Sequence, residues 1–164
     1  MMSPTLEELI TVIGDERLSD GVRSRAINQL ARELRNEHRL TGFLAPWLDN
    51  SSGMIACTAI RAMPVFDPEA SGELFGRLTI RGYPYAGFVA IELARRKDDR
   101  VLPRLFAWLE GEDLSLIEAA LKSLRWLMSL EEESELLSRI LDSREPDEGS
   151  LRIAERIDFL ASKQ

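Results

Sequence analysis

The chain has 164 residues, of which 45% are hydrophobic and 30% charged, and its formal net charge at pH 7 is −7. This length suits one domain with an interior of its own, and the apolar fraction excludes an intrinsically disordered chain. The acidic balance argues against general binding to nucleic acid or to an anionic membrane surface.

The cysteine content and the N-terminal residues bear on the cellular compartment. Cys57 is the only cysteine, so an internal disulfide is excluded and a reducing environment is favoured. Residues 1–5 lack the basic region and the apolar core of a secretory signal, and no apolar run approaches the length of a membrane span. We therefore expect a cytoplasmic protein without membrane contact, in which Cys57 is a small buried thiol.

The first predicted hairpin begins at Ser3, a capping hydroxyl that is followed by a proline in the first turn. Apolar residues then recur at helical spacing as far as Ile13. Asp20 is predicted to cap a second helix that runs to about Asn36. One stripe of this second helix is apolar: Val22, Ala26, Ile27 and Leu30.

The apolar pattern of the second helix returns four more times along the chain. Its anchor positions are Ala26, Ala59, Val89, Ala120 and Ile153. They are roughly thirty residues apart, a spacing typical of helical repeat arrays. An amphipathic helix precedes each anchor, and no segment alternates apolar and polar residues in the manner of a strand. The sequence therefore predicts an all-α chain of ten helices in five hairpins.

Two of the turns carry specific predictions. Pro64 is expected to end the second helix of its hairpin, because proline removes an amide donor, and Asp67 is expected to cap the next helix. Residues 81–88 form the least regular turn and contain Tyr83 and Tyr85. These tyrosines either cover the end of the hairpin or contact a partner, since tyrosine is enriched at interface centres.

Acidic residues crowd the start of the ninth predicted helix, at positions 131, 132, 133 and 135. Such carboxylates are typical of a solvated first turn, where the helix dipole favours negative charge. The polar turn of residues 143–149 then leads to a last helix that is predicted to end near Ala161.

The repeats share further residues beyond their apolar stripes. These are Asp20, Arg23, Ala26 and Leu30 in the first repeat, and Pro46 and Pro103 in the first helices of two others. The pattern resembles the HEAT repeat family, above all its short bacterial form, the phycobilisome lyase-type HEAT repeats. The third and fifth repeats depart from it because neither has the proline. The resemblance implies a right-handed α-solenoid of about five HEAT-like hairpins, forming a single domain over residues 1–164. It also implies a binding scaffold without a particular chemistry.

The sequence shows no catalytic constellation and no cofactor site. His38 is the only histidine and lies in a predicted turn, without a second histidine or a cysteine at metal-ligand spacing. Gly82 and Gly87 lack the spacing and the following lysine of a phosphate-binding loop. We therefore expect no enzyme, no metal and no cofactor.

In HEAT-like arrays the second helices of the hairpins line the concave face, so their solvent-side positions form the candidate binding site. Counted from each anchor, these positions lie one residue before it and two, three and six residues after it. The candidate partner-binding residues are Arg25, Asn28, Arg32, Arg61, Phe88, Ile91, Glu92, Arg95, Lys122, Trp126 and Arg156. Basic residues outnumber acidic ones in this set, and large apolar groups beside arginine are typical of a protein-binding hot spot.

The sequence thus favours a non-enzymatic module that binds another protein on this face, as a scaffold, an adaptor or an inhibitor of the immunity type. Two alternatives stay open. HEAT-like alkylpurine DNA glycosylases use a basic channel with aromatic and acidic residues, and Trp108, Asp113 and Trp126 are similar to such a set. The acidic balance makes nucleic acid the less suitable partner. A bilin lyase-type subunit is implied by the repeat family alone.

Overall fold

A computed structural model describes residues 4–164, which form ten α-helices and no strand. The first five helices are α1 (Leu6–Gly14), α2 (Asp20–Glu33), α3 (Arg39–Leu44), α4 (Gly53–Ala62) and α5 (Pro68–Thr79). The other five are α6 (Ala86–Arg95), α7 (Leu102–Glu110), α8 (Leu114–Leu127), α9 (Leu130–Ser143) and α10 (Glu148–Ala161). A 3₁₀ turn, Ala45–Asp49, continues α3, and another, Asp99–Val101, leads into α7.

The predicted all-helical class and the predicted number of helices are confirmed for the described residues. The five anchors lie in the even-numbered helices, which are the second helices of the predicted pairs, and all five are buried. Short or β-branched side chains at these points allow neighbouring helices to approach and fill the space between them.

Backbone contacts divide the chain into two compact units, of which the first ends at Ile80 and the second is Arg81–Gln164. The boundary lies between α5 and α6, inside the third predicted hairpin. In the first unit, α2 packs against α1 and α4. In the second unit, α8 packs against α6, α7 and α10, and α9 packs against α10. The single domain over residues 1–164 stays a prediction.

Two residues of the HEAT-like pattern join helices of the first unit. Arg23 is buried, and its Nε donates a 2.8 Å hydrogen bond to the carbonyl of Ile13 in α1. The Asp20 carboxylate accepts a 2.6 Å hydrogen bond from the hydroxyl of Ser52, the residue that caps α4. Asp20 and Arg23 therefore connect α2 to the helices on both sides of it.

The start and end of α2 differ from the prediction. Ser19 caps the helix by accepting a hydrogen bond from the Val22 amide, and Asp20 is already the first helical residue. Serine and aspartate cap helices about equally well, so two adjacent candidates cannot be ranked by residue type. The helix also ends at Glu33, before the predicted Asn36.

Other helix ends agree better with the predictions made from the sequence. The helix before Pro64 ends at Ala62, and Asp67 caps α5, both as predicted. Thr5 caps α1 in a capping box, whereas the predicted cap, Ser3, lies outside the described residues.

Asp67 is a buried polar link between α3 and α5. Its carboxylate is only 3% exposed and accepts a 2.6 Å hydrogen bond from the Thr41 hydroxyl and a 3.1 Å hydrogen bond from the Glu69 amide. His38 Nδ1 lies 3.4 Å from it. These donors, the Thr41 hydroxyl first, hold the pKa of Asp67 below its ordinary value although burial acts in the opposite direction.

In the second unit, α6 and α8 lie close together at Gly87. A Cβ atom added to this glycine would lie 2.9 Å from the Cβ of Ala119 on α8, which is closer than two carbon atoms pack. The same two helices meet again at their C-terminal ends, where the ammonium of Lys97 donates a hydrogen bond to the carbonyl of Trp126. The second-helix side chains near these ends are therefore neighbours.

Candidate functional site

The predicted binding residues of the first unit lie on α2 and α4. Arg25, Asn28 and Arg32 are exposed, and their spacing of three and four residues places them on one stripe of α2. Arg61 is exposed in the last turn of α4. Arg25 and Arg32 form no ion pair with any residue in the described range, so both guanidinium groups remain accessible.

The predicted residues of the second unit lie on α6, α8 and α10. Arg95 and Lys122 are exposed, whereas Phe88, Ile91 and Trp126 are half-buried. The positions two and six residues after each anchor are thus exposed or half-buried on both α6 and α8.

Glu92 is buried, contrary to the prediction that it faces solvent. It is 5% exposed, its carboxylate accepts a 2.8 Å hydrogen bond from Arg95, and it lies 4.0 Å from Nε of Arg96. The corresponding residue of α8, Ser123, is buried as well, so the position three residues after the anchor faces the interior in both helices. Glu92 therefore orients Arg95 and does not belong to the accessible surface.

The tyrosines before α6 pack against each other. Tyr83 is 8% exposed, and its ring meets the half-buried ring of Tyr85 edge to face, with 5.6 Å between centroids. Gly82 supports the turn with a φ of 76°, in the region that glycine favours. The proposal of Tyr83 as an exposed contact is wrong because its ring is part of the packing. Contact of Tyr85 with a partner stays a prediction.

Arg156 is engaged in an internal ion pair. Its Nε and Nη2 donate hydrogen bonds of 2.8 and 3.0 Å to the two carboxylate oxygens of Glu133 on α9. Glu133 is fully buried, so the predicted solvated cluster at the start of α9 is wrong at this residue. Its spacing from Leu137 and Ile140 places it on the buried stripe of the helix. Arg156 consequently has a structural role that limits its use in binding.

Phe159 is an exposed aromatic ring on α10, with 48% of its surface accessible. The guanidinium carbon of Arg156 lies 5.1 Å from the ring centroid, and the ammonium of Lys163 lies 5.4 Å from it. Both distances are within the range of cation–π attraction. An apolar surface is thereby flanked by two cationic groups, of which Arg156 is already paired with Glu133.

Trp126, at the C-terminal ends of α6 and α8, is a second aromatic residue surrounded by cations. The Trp126 patch consists of Arg95, Lys97, Lys122, Arg125 and Trp126. The guanidinium carbons of Arg95 and Arg125 lie 5.8 and 5.0 Å from the indole centroid. Lys122 is one helical turn before Trp126, on the same side of α8. Within residues 4–164, the buried Glu92 is the only carboxylate ion-paired with a residue of this patch.

The sequence pattern did not identify Lys97, Arg125 or Lys163 as part of these arrangements. Arg125 lies beside the predicted stripe, and Lys163 follows the last helix. Lys97 follows the end of α6, at a position where glycine is the usual residue. The lysine in place of glycine was the one feature of the sequence that could have pointed to this site.

The three residues that are similar to a glycosylase site, Trp108, Asp113 and Trp126, do not come together in one place. Asp113 caps α8 at its start, and Trp126 lies in the last turn of the same helix. With a rise of 1.5 Å per residue, the two are about 20 Å apart along the helix. Trp108 lies half-buried on α7. This separation gives no support to a shared active site.

The described residues contain no group of three or more histidine, cysteine, aspartate or glutamate side chains that could hold a metal ion. Cys57 is half-buried, not fully buried as predicted; burial raises the pKa of its thiol and the nearby Arg61 opposes this shift. None of the helices in residues 4–164 combines the length and the apolar character that crossing a bilayer requires.

An open cavity of about 410 Å³ lies between the end of α7 and the turn before α10. Glu110, Glu112 and Arg144 contribute to its lining. Arg144 donates hydrogen bonds to the Leu109 carbonyl and to Asp147, and this ion pair lowers the pKa of Asp147 to about 2. Arg144 and Asp147 are thus used to hold the start of α10.

Comparisons of this chain with protein-family models, with curated proteins and with solved structures gave no match. The resemblance to HEAT repeats therefore rests on the residues of the chain itself.

Proposed function

We propose that this chain is a non-enzymatic interaction module of HEAT-like solenoid form, whose second helices bind an acidic segment of another protein. The proposal depends on the cations that lie against the half-buried ring of Trp126 and the exposed ring of Phe159 in a chain of net charge −7. In a HEAT-like solenoid these helices would line the concave side.

Accessible cations on the second helices support this proposal. Arg25, Arg32 and Lys122 are exposed and pair with no carboxylate among the described residues. Unpaired cations can pair with carboxylates of a partner and can accelerate its association.

The aromatic residues supply the other half of the expected interface. Protein-binding hot spots combine aromatic anchors with arginine, and the surrounding contacts exclude water. Trp126 and Phe159 lie on α8 and α10, which pack against each other in the second unit. An amphipathic segment with carboxylates and apolar side chains therefore matches this surface better than a purely polar one.

The experiment recovers partners from the native lysate with tagged protein and then measures binding of the recovered partner by calorimetry. Phe159→Ser and Arg25→Glu each change one side chain of the second helices. Phe66→Ser and Arg104→Glu are the matched controls, because Phe66 is exposed to a similar degree in a loop and Arg104 is exposed on α7.

We expect Phe159→Ser and Arg25→Glu to weaken binding by about tenfold each, and both controls to bind like the wild type. Circular dichroism must show that all four variants keep their helices. If both second-helix variants retain full affinity, the proposed function is wrong.

A further inference from the structure

The backbone of Lys97 is unusual at the centre of the Trp126 patch. Its φ is 62°, in the left-handed region that glycine normally occupies directly after a helix. The Lys97 amide donates to the Ala94 carbonyl at 2.9 Å, and the Asp98 amide donates to the Leu93 carbonyl at 3.0 Å. Glycine would form this helix end without strain, and non-glycine residues in this conformation cluster at functional sites.

The side chain of Lys97 brings its charge to the end of α8. The ammonium donates to the Trp126 carbonyl, and thus joins Arg95 and Arg125, whose guanidinium groups lie over or beside the indole ring. Cations near a helix C-terminus interact favourably with the helix dipole. This interaction alone does not explain why four cations gather here or why one of them has a left-handed backbone.

The patch carries an excess of positive charge. Arg95 is paired with Glu92, which lies in the interior, whereas Lys97, Lys122 and Arg125 are paired with no carboxylate of residues 4–164. The half-buried indole of Trp126 lies among them. A ligand suited to this surface has carboxylates for the three cations and an apolar side chain for the ring.

We infer that the Trp126 patch is the anchor point for an acidic peptide segment of a partner protein, with apolar side chains between its carboxylates. This inference rests on the proposed function and adds the location and the chemistry of the main contact. A nucleic acid fits less well, because its binding needs many phosphate contacts along a strand, whereas this patch covers two helix ends of an acidic chain.

The probe is a short synthetic peptide that repeats Asp-Glu-Glu-Phe, and its matched control has Asn and Gln in place of the acids. The chain has three tryptophans, so Trp47→Phe combined with Trp108→Phe leaves Trp126 as the only fluorescent indole. We expect the acidic peptide to change the Trp126 emission in a saturable manner, and the amide peptide to leave it unchanged.

Lys97→Gly separates binding from folding, because it removes the ammonium and the left-handed strain together. We expect it to bind the acidic peptide about tenfold more weakly, with an unfolding midpoint no lower than that of the parent protein. Arg125→Gln is a second variant with the same expected loss of affinity. Arg139→Gln is the control, since Arg139 is exposed on α9 without an ion pair, and its affinity should not change.

Unchanged affinity in both Lys97→Gly and Arg125→Gln would overturn the inference. Equal affinity for a thymidine oligonucleotide of the same charge would overturn it too, because the patch would then be a general polyanion site. If the acidic peptide does not bind while Phe159→Ser and Arg25→Glu still lose the recovered partner, the anchor point lies elsewhere and the proposed function stands. If those two variants keep the partner, the proposed function is wrong whatever the peptide does.

Discussion

At the scale of single residues, the pair of Glu133 and Arg156 shows how burial decides the role of a charge. A carboxylate without solvent access is stable only with a cation and good hydrogen-bond geometry, and Arg156 provides both through two bonds. Arg156 was predicted as a binding residue from its position on the second helix. The position of Arg156 along its helix predicts that it is accessible to solvent. It does not predict that the neighbouring helix carries a buried carboxylate, that of Glu133, which pairs with it.

Arg156→Ala is expected to lower the free energy of unfolding by about 3 kcal/mol or more, because it leaves the buried Glu133 carboxylate without a countercharge. Urea denaturation followed by circular dichroism measures this loss. Arg152→Ala is the control on the same helix: its ion pairs with Glu118 and Glu155 are accessible to solvent, so a change below about 1 kcal/mol is expected. Equal losses in the two variants would contradict a special role of the Glu133 pair.

The Thr41 hydroxyl controls the acid response of Asp67. The pKa of Asp67 is lower in the folded chain than in the unfolded chain, so its stabilisation is complete above the unfolded pKa and is lost as the pH falls through the folded one. Thr41→Val removes the largest cause of the shift. We expect a loss of roughly 1 to 3 kcal/mol at pH 7 that shrinks as the pH falls from the unfolded pKa of Asp67 through its folded pKa.

Unfolding midpoints in urea, measured from neutral to acidic pH, test this expectation for Thr41→Val. Thr11→Val is the matched control, because the Thr11 hydroxyl donates to the backbone carbonyl of Glu7 and not to a carboxylate. Its effect on stability should not depend on pH. A pH-independent loss in Thr41→Val would show that the hydroxyl stabilises the fold through packing alone.

At the scale of helices, Gly87 allows α6 and α8 to lie close together. Gly87→Ala is expected to destabilise the protein by about 1 to 3 kcal/mol, because the new methyl group collides with the Cβ of Ala119 and the helices must separate. Gly76→Ala in α5 meets no atom within 4 Å and should stabilise the protein by up to about 1 kcal/mol.

Thermal unfolding of the two glycine variants distinguishes them by the sign of the change. Adding Ala119→Gly to Gly87→Ala should recover part of the loss, since it removes the other methyl group of the collision. A stabilising effect of Gly87→Ala alone would show that the two helices do not pack this closely.

The helices themselves were largely predictable, whereas their exact faces were not. Apolar residues repeat at helical spacing in every element, so the class and the number of helices could be read from the pattern. Adjacent residues such as Ile91 and Glu92 are separated by only about 100° around a helix, and the neighbouring helix decides which of them is covered. That neighbour is fixed by contacts that are distant in sequence, which is why Glu92 was misplaced.

At the scale of the whole molecule, the net charge and the charge of the proposed surface have opposite signs. A chain of net charge −7 repels an acidic partner at long range, while the exposed cations of the second helices attract it at short range. The division of the chain at Ile80 coincides with the start of residues 81–88, the least regular turn, but the repeat pattern continues across it and so did not predict two units.

The affinity for the recovered partner should therefore depend on salt mainly through the dissociation rate. Added ions screen the long-range repulsion as well as the short-range attraction, so their effects on the association rate oppose each other. Stopped-flow measurements at several salt concentrations test this expectation with the wild-type chain. Lys122→Glu should reduce the salt dependence of the affinity, and Arg104→Glu should leave it unchanged. A partner whose affinity ignores salt would bind through the aromatic residues alone.

The long gap in the chain between Glu133 and Arg156 also has a consequence for biosynthesis. A ribosome adds the carboxylate of α9 well before it adds the guanidinium of α10, so the nascent α9 has no countercharge for a side chain that must enter the interior. The last two helices are thus expected to dock together only after Arg156 has left the exit tunnel, whereas the N-terminal helices can already associate while translation continues.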